Sequence, residues 1–463
     1  MSDTPAPSST PSTTPSYDEA ERALLARWPE TRLEPSLDRI AALTELLGDP
    51  QRGYPVVHLT GTNGKTTTSR MIDDLLRARG LRTGRFTSPH VESMTERISL
   101  DGQPLTEEAF AQAYTDIAAY LDLVDADQPH PLSFFETVVG MAFAAFADSP
   151  VDVAVVEVGM GGSWDATNVA DGTVAVVTPI AVDHARYLGD RAGTIAVEKS
   201  GIIKPGATVV VAEQEDEVME VLAERAQEVG ATLLREGTDF GVVHRAAAVG
   251  GQVVDLQGLR GRYDEVFLPL YGAHQAQNAV LALAAVEVLA GEDPLADDLV
   301  REAFGAVTSP GRLEVVRRGP TVLLDAAHNP HGATALVEAV RDSFTFDPLI
   351  GVVAMMADKD AESFLAELEP VLSQIVCTRN ATDRSMAADD LGEIARDLFG
   401  EHRVVVHDRL DDALEEAVTL AETGGSGGES IGSGGVLVTG SVVTAGEARR
   451  LLRRRDRSGQ GQF

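Results

Sequence analysis

The stretch VVHLTGTNGKTTTSRMIDDLLRARG, residues 56–80, decides how this chain folds. An apolar run (56–60) enters a turn made of Gly61, Thr62, Asn63 and Gly64, and an amphipathic pattern begins at Lys65-Thr66. The two glycines permit backbone angles and close approach that a side chain would block, so successive N–H groups can point at an anion. A helix starting near Lys65 adds the positive end of its dipole. Lys65 supplies a mobile cation, and the Thr66 hydroxyl can reach a magnesium ion. The stretch therefore reads as a phosphate cradle between a buried strand and a helix. It is shorter than the general pattern with four residues between glycine and Gly-Lys, because position 59 is Leu. Beyond it, Ile72, Leu75 and Leu76 predict the inward face of the helix, and Gly80 its stop.

The same alternation of apolar run and helical pattern continues along the chain. Residues 151–159, 173–180 and 207–213 read as further buried parallel strands. A second series follows the turn-rich VTSPGRLE, at 321–329, 348–356, 374–378, 402–408 and 435–441. The expected class is α/β: a P-loop domain on a parallel-rich sheet over 17–308 and a smaller Rossmann-like α/β domain over 309–463. Residues 1–16, rich in Pro, Ser and Thr, read as a disordered leader, and 423–435, rich in Gly and Ser, as a flexible surface loop.

Composition narrows the function classes. A chain of 463 residues with 44% hydrophobic content can bury two or three cores. A net charge of -34 argues against a nucleic-acid or anionic-membrane binder, so an anionic substrate must meet a local basic pocket. The single cysteine, Cys377, excludes an intrachain disulfide framework and favours a reducing compartment; with no apolar run of spanning length, a cytoplasmic protein is expected. The basic residues comprise 34 Arg and only four Lys: Lys65, Lys199, Lys204 and Lys359. Each surviving lysine is a candidate for chemistry that arginine cannot perform.

Eleven ordered blocks carry a resemblance. TGTNGKTTT, RTGRFTSPHVESMTERISLDG, SFFE, VVEVGMGGSWDATN, AVVTPIAVDH, EKSGIIKPG, HQAQNA, SPGRLE with DAAHNPHG, MADKD and VTGSVVTAGEA together resemble the folylpolyglutamate synthase and dihydrofolate synthase family, within the Mur-type ATP-dependent amide ligases. The likeness spans roughly residues 35 to 450 and implies a Mur-ligase-type fold. It implies transfer of the ATP γ-phosphoryl group to a pteroate or folate carboxylate, followed by displacement of phosphate by the α-amine of L-glutamate. SFFE resembles the bifunctional bacterial enzymes; a monofunctional folylpolyglutamate synthase or a peptidoglycan ligase is the alternative, although Mur ligases carry a larger domain ahead of the P-loop.

The family assigns roles by position. Ser88, Glu157 and His184 match metal-binding positions, with two magnesium ions expected and a monovalent cation left open. Asn278, Arg312 and Asp325 match nucleotide-holding positions. His328 and Ser441, with Arg97 of the first domain, match positions around the incoming glutamate. Lys65, Lys199, Asp325 and His328 are the expected catalytic set. Lys199 stands where the family carries a carbamylated lysine, which needs an amine of depressed pKa. The folate is expected near Phe134, Phe135 and Trp164, because a flat pterin favours aromatic faces, with Glu136, Ser163 and Asp165 beside them. Without the family, two adjacent phenylalanines read as core rather than as a ligand wall. Ser163 stands where the family usually has Arg. Arg82, Arg85, Arg97 and Arg312 are expected at a basic cleft mouth, and the protein is expected to be a monomer with only small-molecule substrates.

Overall fold

The computed structural model describes residues 15–29, 35–423 and 434–457. The first half is built on an eight-stranded sheet of β1 (Val56–Thr60), β2 (Thr83–Phe86), β3 (Ile98–Leu100), β4 (Gln103–Pro104), β5 (Val153–Glu157), β6 (Val174–Val177), β7 (Thr208–Val211) and β8 (Thr232–Arg235). Their order is β4-β3-β2-β5-β1-β6-β7-β8, parallel except at the β2-β3-β4 edge. β1, β5 and β6 are buried along their whole length, which is why they read as continuous apolar runs. The helix Lys65–Ala78 lays Met71, Ile72, Leu75 and Leu76 on one face of this sheet, beneath the helix Ala273–Ala290. Gly80, at φ 81°, ends its last turn as expected. The helices Asp38–Leu46, Glu107–Asp127 and Phe134–Asp148 cover the other face.

A small antiparallel sheet, β9 (Gly241–Ala248), β10 (Gly251–Gln257) and β11 (Arg262–Leu268), in the order β11-β10-β9, packs against the helices Ala273–Ala290 and Asp297–Ala306. The second half carries six strands: β12 (Glu314–Arg318), β13 (Thr321–Leu324), β14 (Leu349–Val353), β15 (Gln374–Cys377), β16 (Val404–Val406) and β17 (Gly435–Thr439). Their order is β12-β13-β17-β14-β15-β16, and only the β12-β13 pair is antiparallel. Separate apolar clusters fill its two faces. The architecture is thus α/β in two halves, as expected.

Two boundaries differ from expectation. Ser16 belongs to the folded part, since it caps the helix Tyr17–Leu25 in a capping box with Glu19, and 1–14 lie outside the described residues. Of the expected Gly/Ser loop, Thr423 ends a helix and Gly435 begins β17, while 424–433 lie outside the described residues. Among the described residues no helix is long and apolar enough to cross a membrane.

Candidate active site

The turn 61–64 leaves the buried end of β1 and opens into a cavity of about 610 Å³ lined from both halves. Its backbone is held from outside: Thr62 N donates to Pro179 O at 2.9 Å, and Thr62 Oγ1 to Ala181 O at 2.8 Å. Gly61, at φ 139°, has no room for a Cβ, which would strike Thr178 Oγ1 and lie 2.8 Å from Thr178 O. Gly64, at φ 89°, would put one 2.6 Å from Asn278 Oδ1. Lys65 Nζ donates to Gly61 O at 3.0 Å and Thr62 O at 3.2 Å. Asn278, Arg312 and Asp325 line the same cavity from the far side. The Asp325 carboxylate accepts from Leu313 N and Ala327 N, both at 2.8 Å, and so fixes the two loops that flank the cavity.

Glu157 ends β5 next to the P-loop, 1% exposed. Thr66 Oγ1 donates to its Oε1 at 2.9 Å, while Oε2 has no hydrogen-bond partner. Burial raises the Glu157 carboxyl, against the opposing Lys65 charge and the Thr66 hydroxyl. His184 lines the same cavity, and burial lowers its imidazole to about 4 despite Asp183, so the ring is neutral at pH 7. A buried orphan carboxylate oxygen and the Ser88 hydroxyl fit a hard divalent cation, beside which the neutral His184 imidazole offers a softer donor. Among the described residues no group of three His, Cys, Asp or Glu side chains gathers to hold a metal. An ion there needs oxygen ligands from elsewhere, for which nucleotide phosphates are suited.

Lys199 is 4% exposed and donates to Gly61 O at 2.9 Å, the carbonyl that also accepts from Lys65. Burial, and then the Lys65 charge, lower its ammonium from 10.5 to about 7.

A second cavity, of about 410 Å³, is lined by Arg97, Phe135, Glu136, Trp164, Asp165 and Ser441 among others, and Ser88, His184 and His328 border both cavities. Arg97 is buried, donates to His90 Nδ1 at 3.0 Å and lies 4.9 Å over the Phe134 ring. Glu136 is held by Arg39 at 3.0 Å and Asp165 by the N–H groups of Gly159, Met160 and Thr167, so both carboxylates are committed to the protein. Ser441 Oγ pairs with Thr444 Oγ1 at 2.7 Å and accepts from Asn380. Two expected residues are not on the wall: Phe134 packs beneath it in the core, and Ser163 donates to Glu198 O at 3.0 Å away from either cavity. Lys199 lines the P-loop cavity. Arg82 and Arg85 also line neither cavity, because Arg82 faces solvent and Arg85 is buried beside Asp73.

Asp183 was not singled out by sequence reasoning, although it lies within the quoted AVVTPIAVDH block. From the first half it meets three residues of the second: Lys359 Nζ, His328 Nε2 at 3.3 Å and Asn329 Nδ2 at 3.0 Å. Burial would raise its carboxyl, but the His328 hydrogen bond and the charges of His328, His184 and Lys359 more than offset this and hold it well below the carboxylate range. His328 Nδ1 lies 2.9 Å from Ala326 O, so both its ring nitrogens face acceptors. Lys359, Arg39 and Arg384 also line the second cavity and supply the basic wall that was expected from Arg82 and Arg85. The scarcity of lysine and the quoted MADKD block both marked Lys359, but neither gave it a role.

Two family models match, the Mur ligase middle domain over residues 59–286 and the Mur ligase glutamate ligase domain over 311–442. The chain is 48% identical to the dihydrofolate synthase/folylpolyglutamate synthase of Mycobacterium tuberculosis over 96% of each chain. The chain belongs to the dihydrofolate synthase/folylpolyglutamate synthase family. Among solved structures it is similar to M. tuberculosis folylpolyglutamate synthase complexed with ADP, with a TM-score of 0.91 and 48% identity, covering 94% of this chain and 98% of that one. Escherichia coli FolC in complex with DHPP and ADP superposes with a TM-score of 0.83 at 29% identity, over 96% of this chain and 100% of that one. In this family member the P-loop cavity and the arginine-lined cavity meet between the two halves, where a group could pass from one occupant to the other.

Proposed function

We propose that this protein is a bifunctional dihydrofolate synthase and folylpolyglutamate synthase, which ligates L-glutamate to dihydropteroate and to folylmono- and polyglutamates at the expense of ATP. The single observation that carries the reading is the meeting of two cavities at Ser88, His184 and His328. Residues 17–308 act as the ATP- and folate-binding domain and 309–463 as the glutamate-ligase domain of a cytoplasmic monomer.

The ATP phosphates lie against the N–H groups of residues 61–66, with Lys65 turned from Gly61 O onto them and Arg312 opposite. Asn278 and Asp325 order the rest of the nucleotide. The folate carboxylate attacks the γ-phosphorus, ADP leaves, and an acyl phosphate forms at the border of the cavities. The glutamate α-amine then attacks the acyl carbon, phosphate departs with the C–O electron pair, and the amine loses a proton as the amide forms. Asp183 orients His328 and Lys359 toward this charge, and Arg97 and Ser441 receive carboxylate. Phe135 and Trp164 offer aromatic faces to the pterin. Magnesium held by Ser88, Glu157 and His184 neutralises phosphate charge when bound. A neutral Lys199 amine can add to carbon dioxide with loss of a proton, and the resulting carbamate would offer oxygen donors to a second magnesium ion. A pKa near 7 supplies that neutral amine at physiological pH.

Phosphate release measured with mass-resolved product tests the reading. Dihydropteroate plus glutamate should give the glutamate adduct, and a reduced folylmonoglutamate should be lengthened. ATP hydrolysis that glutamate does not stimulate would sink it.

A further inference from the structure

The loop 88–97, between β2 and β3, brings Ser88 and Arg97 to the second cavity, and Arg312, next to Gly311, lines the other. We propose that Arg449, which lines neither cavity, is a positioning residue that ties these two segments together and so sets the folate-side loop in register with the nucleotide side. The proposal rests on the ligase reading above and adds to it a residue outside the reacting groups.

The helix Val442–Arg457 starts beside Ser441, and Val442 and Val443 line the second cavity. Further along, its outer face meets the loop. Arg449 Nη1 pairs with Glu92 Oε1 of the loop, while its Nε donates to both Glu314 carboxylate oxygens, at 3.0 and 3.1 Å. Glu314 Oε2 in turn accepts from Gly311 N at 2.9 Å, next to Arg312. The three charged side chains are 14%, 20% and 23% exposed, so solvent screens this chain far less than an open surface pair. Arg450 Nη1 donates to Glu92 O at 3.1 Å, whereas Arg453, 57% exposed, approaches Glu92 at 3.4 Å and adds little.

Both ends of the tie are stiff. Glu96 accepts from the N–H groups of Val91, Glu92 and Ser93, each at 2.9 Å, so the loop moves as one piece and carries Arg97 with it. On the helix, Gly446 faces Val91 so closely that a Cβ would collide with Val91 O. Glycine in the middle of a helix is unfavourable, and here its absent side chain is what lets the loop reach Arg449.

Two variants of the full-length protein test this from opposite sides, Arg449→Met by removing the tie and Gly446→Ala by pushing the loop off it. Gly446→Ala favours the helix itself but pushes Val91 away, so a purely structural role predicts a loss of stability with kcat per folded molecule unchanged. Positioning predicts otherwise: in both variants kcat falls roughly tenfold or more, because small displacements of reacting groups are costly, while KM for ATP stays within about twofold. Amide exchange over 90–97 should speed up in both, whether or not turnover is measured, and Arg449→Lys should recover part of the kcat by restoring the Glu92 pair. Wild-type turnover is the control for the ligase reading, and its absence would remove that reading alone. Unchanged exchange over 90–97 in the two variants, or wild-type kcat in Gly446→Ala, would overturn the tie.

Discussion

Asp183 and Lys359, 176 residues apart in sequence, form an ion pair across the two halves of the molecule, with side chains only 8% and 9% exposed. The pair closes the cleft where the two cavities meet, and His328 and Asn329 join it from the same side as Lys359.

Removing one partner of a buried pair strands the other charge, at a cost of about 3 kcal/mol or more. Opening the cleft lets water relieve that charge, so the cost falls on the closed, reactive state rather than on folding. Asp183→Asn should therefore lower kcat/KM for glutamate by roughly a hundredfold, with little change in melting temperature. Steady-state kinetics beside a thermal melt check this, and a large loss of stability with normal turnover would contradict it.

Lys199 gives a pH signature. Its ammonium sits at about 7 in the folded chain against 10.5 for the ordinary group. Between those values the unfolded chain binds more protons, so stability rises with pH; the cost of burying Lys199 is full below about pH 7 and relieved by about pH 10.5. Lys199→Met removes this slope, which is at most about 1.4 kcal/mol per pH unit. Denaturant melts in bicarbonate-free buffer should show the variant's stability advantage shrinking from pH 7 to pH 9. A gap that does not change with pH would argue against the depressed pKa.

The same residue tests the carbamate. Lys199→Ala and Lys199→Arg should both abolish acyl-phosphate formation while nucleotide still binds through Lys65 and Thr66, and small carboxylates should partly restore the alanine variant. An active arginine variant would show that charge alone suffices.

Arg97 separates the substrates. Arg97→Met keeps an unbranched apolar stem over Phe134 and removes the charge, so KM for the carboxylate-bearing substrates should rise at least about tenfold, with KM for ATP nearly unchanged. Parallel changes in both would point to a folding role.

Gly61→Ala must displace Thr178 or the turn itself. Nucleotide affinity should drop by more than about tenfold, because the N–H groups of 61–66 no longer converge on one anion. Calorimetric titration with a non-hydrolysable nucleotide reads this directly.

Much of the fold and part of the site could be read along the chain because their causes are local. A turn of two glycines followed by Lys65 and Thr66, and runs such as 153–157 and 435–439 that are buried on both faces, announce themselves within a few residues. The antiparallel sheet β9-β11 did not, because β9 is largely solvent-facing and β11 buries only Tyr263, Val266 and Leu268, at irregular spacing. Glu157 could be placed at a strand end from sequence, yet its orphan oxygen could not. The pairings of Asp183 with Lys359, Glu136 with Arg39 and Arg449 with Glu92 belong to tertiary structure alone. A carboxylate's neighbours in space are set by how two sheets pack, and nothing in the residues flanking Asp183 specifies a lysine 176 positions away. Sequence by itself determined the phosphate cradle, the α/β class and the residue types that chemistry would need; packing decided which charges face one another, because Coulomb energy depends on distance and burial, and neither is a local property of the chain.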